Sequence, residues 1–552
     1  MVVDSEDRED RGDNVDEVSE EFPVIWEDPS DPELSWEWDD MHLPAPLPPL
    51  AADYVRASIQ AGIAYRFARA GIAGRFEVRI INGYAYFAFR YLTTNKAALR
   101  ATALSARREQ SRVMREYWDR KVLPVLLATY GWLISIPVES LPPAELAEVW
   151  DELWQRQISY VWGLHFMTTA GSYQALNDLA DFYESVVEGA SPGEGLALVQ
   201  GLPNDLQRVQ QDLYMLGERT RALPAVAEVI LDDPDRALDR MAGTPGGPEF
   251  LGHLETFLNA HGHLGQPFDD LMFPSWLEEP GLLLREVRKR LLDPQEEPEL
   301  RRRRQAAEAD AGADRLRARL AGDPARLHEL DQLLTHARAV GPLTEGHNYW
   351  LDRMMHAHLH RFARRVGRRL TAAGVVADYR DIFFLQAAEV SIALREPVDL
   401  SPLVDERTAA HHRWSRIRPP KRLGAPPAPA TAGDRFDAPT PVQSDDRLLR
   451  GVGASIGSGR GPVRIVHSPD DFERVQQGDV LVCPSANPSW VPLYGIIAGL
   501  ITDTGGALSH AAVVAREFGV PAVVGTGDAT QRLRDGQRVE VNGLTGEVFI
   551  IS

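Results

Sequence analysis

The spacing of apolar side chains divides the chain into stretches of different period. Residues 76–89 alternate apolar and polar positions around Asn82-Gly83, a pair whose backbone preferences fit the tight turn of a two-stranded hairpin. From about residue 95 to 395 the period changes. Segments 142–189, 205–231, 281–321 and 344–374 place apolar residues every three or four positions, with prolines and Gly/Asp pairs between them, which predicts a mainly helical body. Over 416–446 proline, alanine and glycine displace the large side chains that a core requires, and a linker is expected there. Its roughly 30 residues reach up to ~90 Å at ~3.1 Å each when extended. Beyond it, short β-rich runs at 463–466, 479–483, 499–502, 522–525, 538–541 and 546–551 alternate with glycine turns and two short helices. That is the pattern of a separate α/β domain, and no internal repeat interrupts it. The expected organisation is multidomain: an acidic disordered tail over 1–22, a mainly α-helical domain with a small β-hairpin over 23–415, the linker over 416–446, and a C-terminal α/β domain over 447–552.

Composition refines this picture. With 552 residues, 44% apolar and 25% charged, the chain is long and apolar enough for several packed domains. The net charge of −21 is concentrated: residues 1–40 hold 17 Asp and Glu against two Arg, which leaves −6 for the rest. The acidic head therefore reads as a solvated tail, and no nucleic-acid partner is expected. No apolar run approaches the ~18–20 residues of a bilayer-spanning helix, and the N-terminus is acidic where a targeting peptide would be basic. No membrane partner and a cytoplasmic location are the expectations. The single cysteine, Cys483, permits no internal disulfide and no thiolate metal cluster, and on a strand it reads as a packing residue.

The stretch richest in chemistry is Gly499-Leu-Ile-Thr-Asp-Thr-Gly-Gly-Ala-Leu-Ser-His510-Ala-Ala-Val-Val-Ala-Arg516. A strand runs into two glycines, a histidine and a helix. Gly505 and Gly506 allow a tight turn that brings backbone N–H groups toward an anion, while the helix opens its positive end beside His510. An imidazole held there can accept a phosphoryl group on one ring nitrogen and pass it on. A capping or interior histidine at a strand–helix junction is the alternative reading.

Residues 502–525, TDTGGALSHAAVVAREFGVPAVVG, resemble the phosphohistidine swivelling domain of the phosphoenolpyruvate-utilising enzymes. Gly451-Val-Gly-Ala-Ser-Ile-Gly, Asp479-Val-Leu-Val-Cys-Pro and Pro488-Ser-Trp-Val-Pro-Leu resemble the opening strands of the same domain. The resemblance implies that His510 carries the phosphoryl group, with Thr502, Gly505, Gly506, Ser509 and Arg516 around the phosphate. One departure is Ala486, where many relatives have a threonine. No ATP-grasp-like block precedes residue 446, and no phosphoenolpyruvate-binding barrel follows. The arrangement is similar to the acceptor-plus-histidine part of rifampicin phosphotransferase and to the large subunit of phenylphosphate synthase. It implies a separate ATP-grasp partner subunit that holds ATP and Mg, with no cofactor bound by this chain alone.

The helical body resembles the acceptor domain of that family through Trp36 with Met41-His42-Leu-Pro-Ala-Pro-Leu, Tyr84–Phe89, Asn259-Ala-His261-Gly-His263 and Thr344-Glu345-Gly-His347-Asn348-Tyr-Trp-Leu-Asp352-Arg353. Glu345, His347, Asn348 and Asp352 stand on the first turns of one helix. His347 with Glu345 can supply a base and the group that orients it; alternatively Glu345 and Asn348 cap the helix and His347 is an interior polar group. His42, His261, His263, Asn348 and Asp352 are the expected substrate-binding residues. No metal site is expected, because His356 and His360, one turn apart, have no third ligand at a familiar spacing. The Arg301–Arg304 cluster reads as a solvated helix face. The resulting expectation is a dikinase-type phosphotransferase acting on a small aromatic hydroxyl compound. A rifamycin-type antibiotic phosphotransferase and a non-enzymatic phosphocarrier are the alternatives.

Overall fold

A computed structural model describes residues 22–40, 42–265, 271–292, 296–426, 447–467, 469–486 and 488–551. The predicted hairpin forms as β2 (Gly74–Ile81) and β3 (Tyr84–Tyr91), following β1 (Ser35–Trp38) in the chain. Its turn depends on Asn82 and Gly83, with φ of 53° and 87°, values that Asn and Gly tolerate and branched residues do not. Across the ladder Phe76 faces Phe89 and Val78 faces Phe87, pairs that stabilise antiparallel strands.

The segment read as linker from residue 416 is folded at its start. Arg422–Gly424 forms β4, and the four strands order as β2-β3-β1-β4. The Tyr84 hydroxyl donates to the carbonyls of Trp414 and Ile417, and the Tyr86 hydroxyl donates to that of Pro420. These bonds satisfy backbone acceptors that a proline-rich segment cannot satisfy internally. Phe22, placed in the tail by its sequence neighbours, is buried against Tyr84 and Trp414. Residues 1–21 and 427–446, the remainder of the expected tail and linker, lie outside the described residues.

The body is helical as expected, and two rods dominate it. One runs through Pro143–Glu152, a π-turn at Leu153–Gln157, and Ile158–Val186. The other runs through Leu343–His347, a π-turn at Asn348–Arg353, and Met354–Ala372. Their apolar faces meet in one core that includes Ile158, Val161, Leu164, Leu351, Met355 and Leu359. The predicted 281–321 helix is two, Pro280–Leu292 and Pro298–Arg319, with Pro298 starting the second at a position that suits a residue without an N–H.

The C-terminal domain carries β5 (Leu448–Arg450), β6 (Val452–Ser455), β7 (Ser458–Ile465), β8 (Val480–Cys483), β9 (Gly499–Thr502), β10 (Ala522–Val524), β11 (Arg538–Asn542) and β12 (Glu547–Ile550). They order as β5-β12-β11-β7-β8-β9-β10-β6, with β7 to β10 parallel. The sequence pattern locates six of these; it does not locate β5 and β6, of three and four residues. Cys483 is buried on β8, as a packing residue should be.

This domain has its own apolar interior yet is seated on the body. Ala507 and Leu508 enter a cluster formed by Leu176, Leu179, Leu196, Leu198 and Leu334. Beside them the Gln305 amide donates to the Arg516 carbonyl at 2.9 Å, Asn204 donates to Glu517, and the Arg301 guanidinium lies 4.7 Å from the Phe518 ring centre. Arg301 therefore serves the seam rather than a purely solvated face. Leu508→Ala removes contacts shared by the two bodies, a truncation that costs ~2–5 kcal/mol inside a single core. The expected result is looser seating with each body still folded: far-UV circular dichroism unchanged, and faster diethylpyrocarbonate modification of His510.

Candidate active site

The seated loop determines where His510 points. Gly505, at φ 108°, makes the turn after β9, and a Cβ there would lie 2.9 Å from Ser509 Oγ. Ser509 then caps the helix His510–Phe518, its hydroxyl accepting from the Ala512 N–H at 3.4 Å. His510 is the first residue of that helix, so its ring projects from the end of the element toward the body.

The five residues expected around the phosphate mostly serve the loop. The Thr502 hydroxyl donates to the Thr504 carbonyl at 2.7 Å, Gly506 accepts from the Ser509 N–H at 2.9 Å, and Ser509 is the cap. Arg516 is buried and donates to the carbonyls of Ala454 and Ala507 at 2.8 and 2.6 Å. In this structure the hydrogen bonds of Thr502, Ser509 and Arg516 fix the backbone that presents His510. Ala486 is buried and apolar.

What surrounds the His510 ring comes from the body. Glu345 Oε1 lies 3.5 Å from His510 Nδ1, and Asn348 Nδ2 donates to Glu345 Oε2 at 3.2 Å. His347 Nδ1 donates to the Leu343 carbonyl at 3.1 Å, which leaves Nε2 with its lone pair, 3.9 Å from Asp352 Oδ2. Asp352 Oδ1 is 2.7 Å from His165 Nδ1. The rings of His165 and His347 meet edge to face at 4.9 Å, and the Tyr173 ring lies 6.5 Å from that of His347. Glu345 therefore addresses His510 and does not orient His347, which correct the expected base-and-orienter pair. Of the helix-capping alternative, the structure keeps only Asn348, whose backbone N–H caps the C-terminal end of Leu343–His347 by donating to the Glu345 carbonyl; the N-cap is Pro342.

The site is buried and electrostatically unusual. Glu345, His347 and Asp352 are each under 5% exposed. Among the described residues, His510 Nε2, Glu345 Oε1, Asp352 Oδ1 and His165 Nδ1 are buried polar atoms without a well-aligned hydrogen bond. The 2.7 Å His165–Asp352 approach is close but out of line. Burial, reinforced by Arg353, His347 and His42, pushes His510 well below the ordinary imidazole range, so its ring is neutral. Burial likewise holds His347 down to about 4. Burial and the neighbouring Glu517 push Glu345 well up. Asp352 goes the other way: burial raises it, but His165, with His347 and His356, holds it below the usual carboxylate range.

The other expected substrate residues divide. His42 is paired with Asp39 at 2.9 and 3.0 Å, within electrostatic reach of His510. His261 belongs to a second group: its Nε2 lies 2.8 Å from Asp212 and its Nδ1 3.1 Å from the Tyr349 hydroxyl. His263 packs on Tyr349, with ring centres 4.6 Å apart. Both are built around Tyr349 rather than around His510, and Arg353, whose field reaches His263 and His510, links the two groups. His356 and His360 have separate partners: His356 Nδ1 bonds the Asp352 carbonyl and His360 bonds Glu278. Residues missed from the sequence are His165 and Tyr173. His165, Thr168 and Ser172 do stand three and four residues apart inside an apolar helix, a polar stripe on a buried face that could have been noticed.

With this geometry in view, the chain was compared with known proteins. Residues 475–546 match the mobile domain of PEP-utilising enzymes, and residues 165–345 match the fourth domain of rifampicin phosphotransferase. Chondramide synthase of Chondromyces crocatus is 30% identical over 96% of this chain and 14% of its own length. The uncharacterised phosphotransferase YvkC of Bacillus subtilis is 26% identical over 70% of this chain and 47% of its own. Rifampicin phosphotransferase of Streptomyces sviceus is 32% identical over 60% of this chain and 38% of its own. The chain thus spans less than half the length of these relatives. The second match covers both the helix bearing His165 and the approach to Glu345. Among the described residues no helix is long and apolar enough to cross a membrane.

Glu517 supplies a pH test of the seam. Burial pushes its carboxyl up to about 7 from an ordinary 4.5, against the Asn204 hydrogen bond and Arg516. A carboxyl raised by docking favours the docked state while protonated. Its contribution is full below about 4.5, declines as pH rises toward about 7, and is flat above. His510, shifted the opposite way, contributes with opposite sign below 6.5, so the diagnostic is a difference. Glu517→Gln should dock more tightly than the parent at pH 7.5 but equally at pH 4.5, read by hydrogen exchange of the His510–Phe518 helix.

Proposed function

We propose that this member of the phosphoenolpyruvate-utilising enzyme family is a phosphotransferase that carries a phosphoryl group on His510 and delivers it to a hydroxyl bound against the helical body. One observation carries the reading: the His510 side chain is only 11% exposed, and its Nδ1 faces Glu345 Oε1 of the helical body at 3.5 Å, with His347 and Asp352 of the same body within electrostatic reach. A structural histidine would be satisfied within its domain. Here Nε2 is left with a lone pair and no partner among the described residues.

In the transfer, the Nε2–P bond breaks as the bond from phosphorus to the acceptor oxygen forms. The ring keeps its Nδ1 proton, with Glu345 Oε1 3.5 Å from that nitrogen, so that imidazole departs neutral. The acceptor's hydroxyl proton passes into the His165–His347–Asp352 cluster, where Asp352 stabilises the positive charge. Arg353 and His42 lie within reach of the charge on the transferring oxygens. Low dielectric strengthens each of these effects, and exclusion of water protects the phosphoryl group from hydrolysis.

The donor reaction belongs elsewhere in this scheme. An ATP-grasp unit outside residues 1–552, holding ATP and Mg, phosphorylates His510 while the domain is released, so that ATP, water and acceptor give AMP, phosphate and phospho-acceptor. We favour a small aromatic hydroxyl compound as acceptor, since the walls nearest His347 carry Tyr173, Trp162 and Phe166 through His165. A rifamycin acceptor is the second reading, suggested by the name of a relative. Against it, Thr344 and Asn348 are already bonded to Gly341 and Glu345 and offer no cationic group there.

Incubation with γ- or β-labelled ATP and an ATP-grasp subunit should label this chain, and His510→Ala should abolish the label. Label retained in His510→Ala would sink the carrier assignment. Glu345→Gln should still accept label, yet lose it to phenols or benzylic alcohols ~10²-fold or more slowly, the usual scale for removing a proton-handling group.

A further inference from the structure

Three of the chamber's groups have a geometry that proton transfer alone does not require. His165, His347 and Asp352 each offer one donor atom, and those atoms all lie within 4.8 Å of one another. They come from two different rods, so the convergence is tertiary rather than a local helical pairing. The ring of His347 is held by its Nδ1–H bond to the Leu343 carbonyl, which fixes the tautomer and turns the Nε2 lone pair inward. Metal-binding histidines are commonly oriented by such a bond from the second ring nitrogen to a backbone carbonyl.

The second observation is independent of the clustering. Asp352 is 2% exposed and His165 8% exposed, and Asp352 Oδ1 and His165 Nδ1 face each other without a well-aligned hydrogen bond. Leaving such groups buried and poorly satisfied is costly. A cation beside them, ~2 Å from each atom, would satisfy both at once.

We propose that His165, His347 and Asp352 bind a divalent transition-metal cation at the floor of the chamber. Two imidazoles and one carboxylate form the donor set used by zinc and related ions in sites that keep an open coordination position. This inference deepens the proposed function but stands on separate evidence. A cation held by these three residues would polarise the acceptor hydroxyl and ease loss of its proton; His347 would serve as a ligand in that loaded state, and the proton would go to solvent instead of to the cluster.

Binding can be measured without activity. The full-length chain, freed of metal by chelation and dialysis, is titrated with Co2+ and, in parallel, with Zn2+ by equilibrium dialysis. The expected result is one tight cation per chain with a visible Co2+ absorption band of a nitrogen- and oxygen-ligated site. His165→Ala and Asp352→Asn should each weaken that binding by ~100-fold or more, above the loss seen when only a hydrogen-bond partner of a ligand is removed. Circular dichroism checks that each variant is folded, and a cation-dependent rise in melting temperature of the unmutated chain gives a readout that needs no variant. Absence of both the band and the rise in the unmutated chain overturns the proposal. Equal binding by a folded His165→Ala variant also overturns it, placing the cation elsewhere. Because neither readout involves phosphoryl transfer, a chain that binds Co2+ as expected but never accepts label on His510 would refute the function and leave the site standing.

Discussion

The arrangement depends on how the Ala507–Leu508 step is buried. These two side chains leave the α/β domain and complete an apolar cluster of the helical body, and His510 follows two residues later. Apolar burial is non-directional, so it holds the loop without consuming hydrogen bonds, and Arg516, Gly505 and the Ser509 cap convert that attachment into one ring position. The polar contacts at the seam, from Gln305, Asn204 and Arg301, fix register more than they supply affinity. A carrier domain needs this balance: an attachment strong enough to exclude water, built from contacts that can be released together.

The same seating explains why the chamber tolerates so poor a set of hydrogen bonds. Glu345, Asp352, His165 and His510 present buried atoms with no good partner among the described residues, an arrangement that would be trimmed from an ordinary core. The part that involves Glu345 and His510 belongs to the docked state, in which both are driven toward their neutral forms. Release rehydrates His510 and the face of Glu345. The docked geometry thus stores the electrostatic strain that a ligand, a phosphoryl group or a cation would relieve.

Much of this could be read from the chain. The Asn82-Gly83 turn, the long helical stretches and the strand–glycine–His510–helix junction follow from local preferences, and each appears where its pattern stands. Legibility fails where a residue's role depends on a distant partner. Thr502, Ser509 and Arg516 surround the phosphohistidine motif in sequence, but their hydrogen bonds run back to Thr504, Ala512, Ala454 and Ala507. Residues 416–424 look like linker because composition cannot register that Tyr84 and Tyr86 await their carbonyls. His165 stands about 180 residues from His347 and Asp352, and no window joins them.

The π-turns account for the least legible part of the site. On a regular helix each residue advances by about 100°, so His347 and Asp352, five positions apart, would point well away from each other. The natural sequence reading pairs Asp352 with Asn348, four positions back. In the π-turn Asn348–Arg353 the repeat widens toward five residues, which brings residues i and i+5 about one turn apart on the same side. His347 Nε2 and Asp352 Oδ2 then come within 3.9 Å, while Asn348 is turned to Glu345. The second rod carries its own π-turn at Leu153–Gln157, eight residues before His165, and so enters the contact with its later residues rotated relative to its earlier ones. A single residue removed from Asn348–Arg353 would restore ideal helix locally and carry Asp352 off the chamber. The pattern of side chains would be almost unchanged in sequence, yet the cluster would be gone.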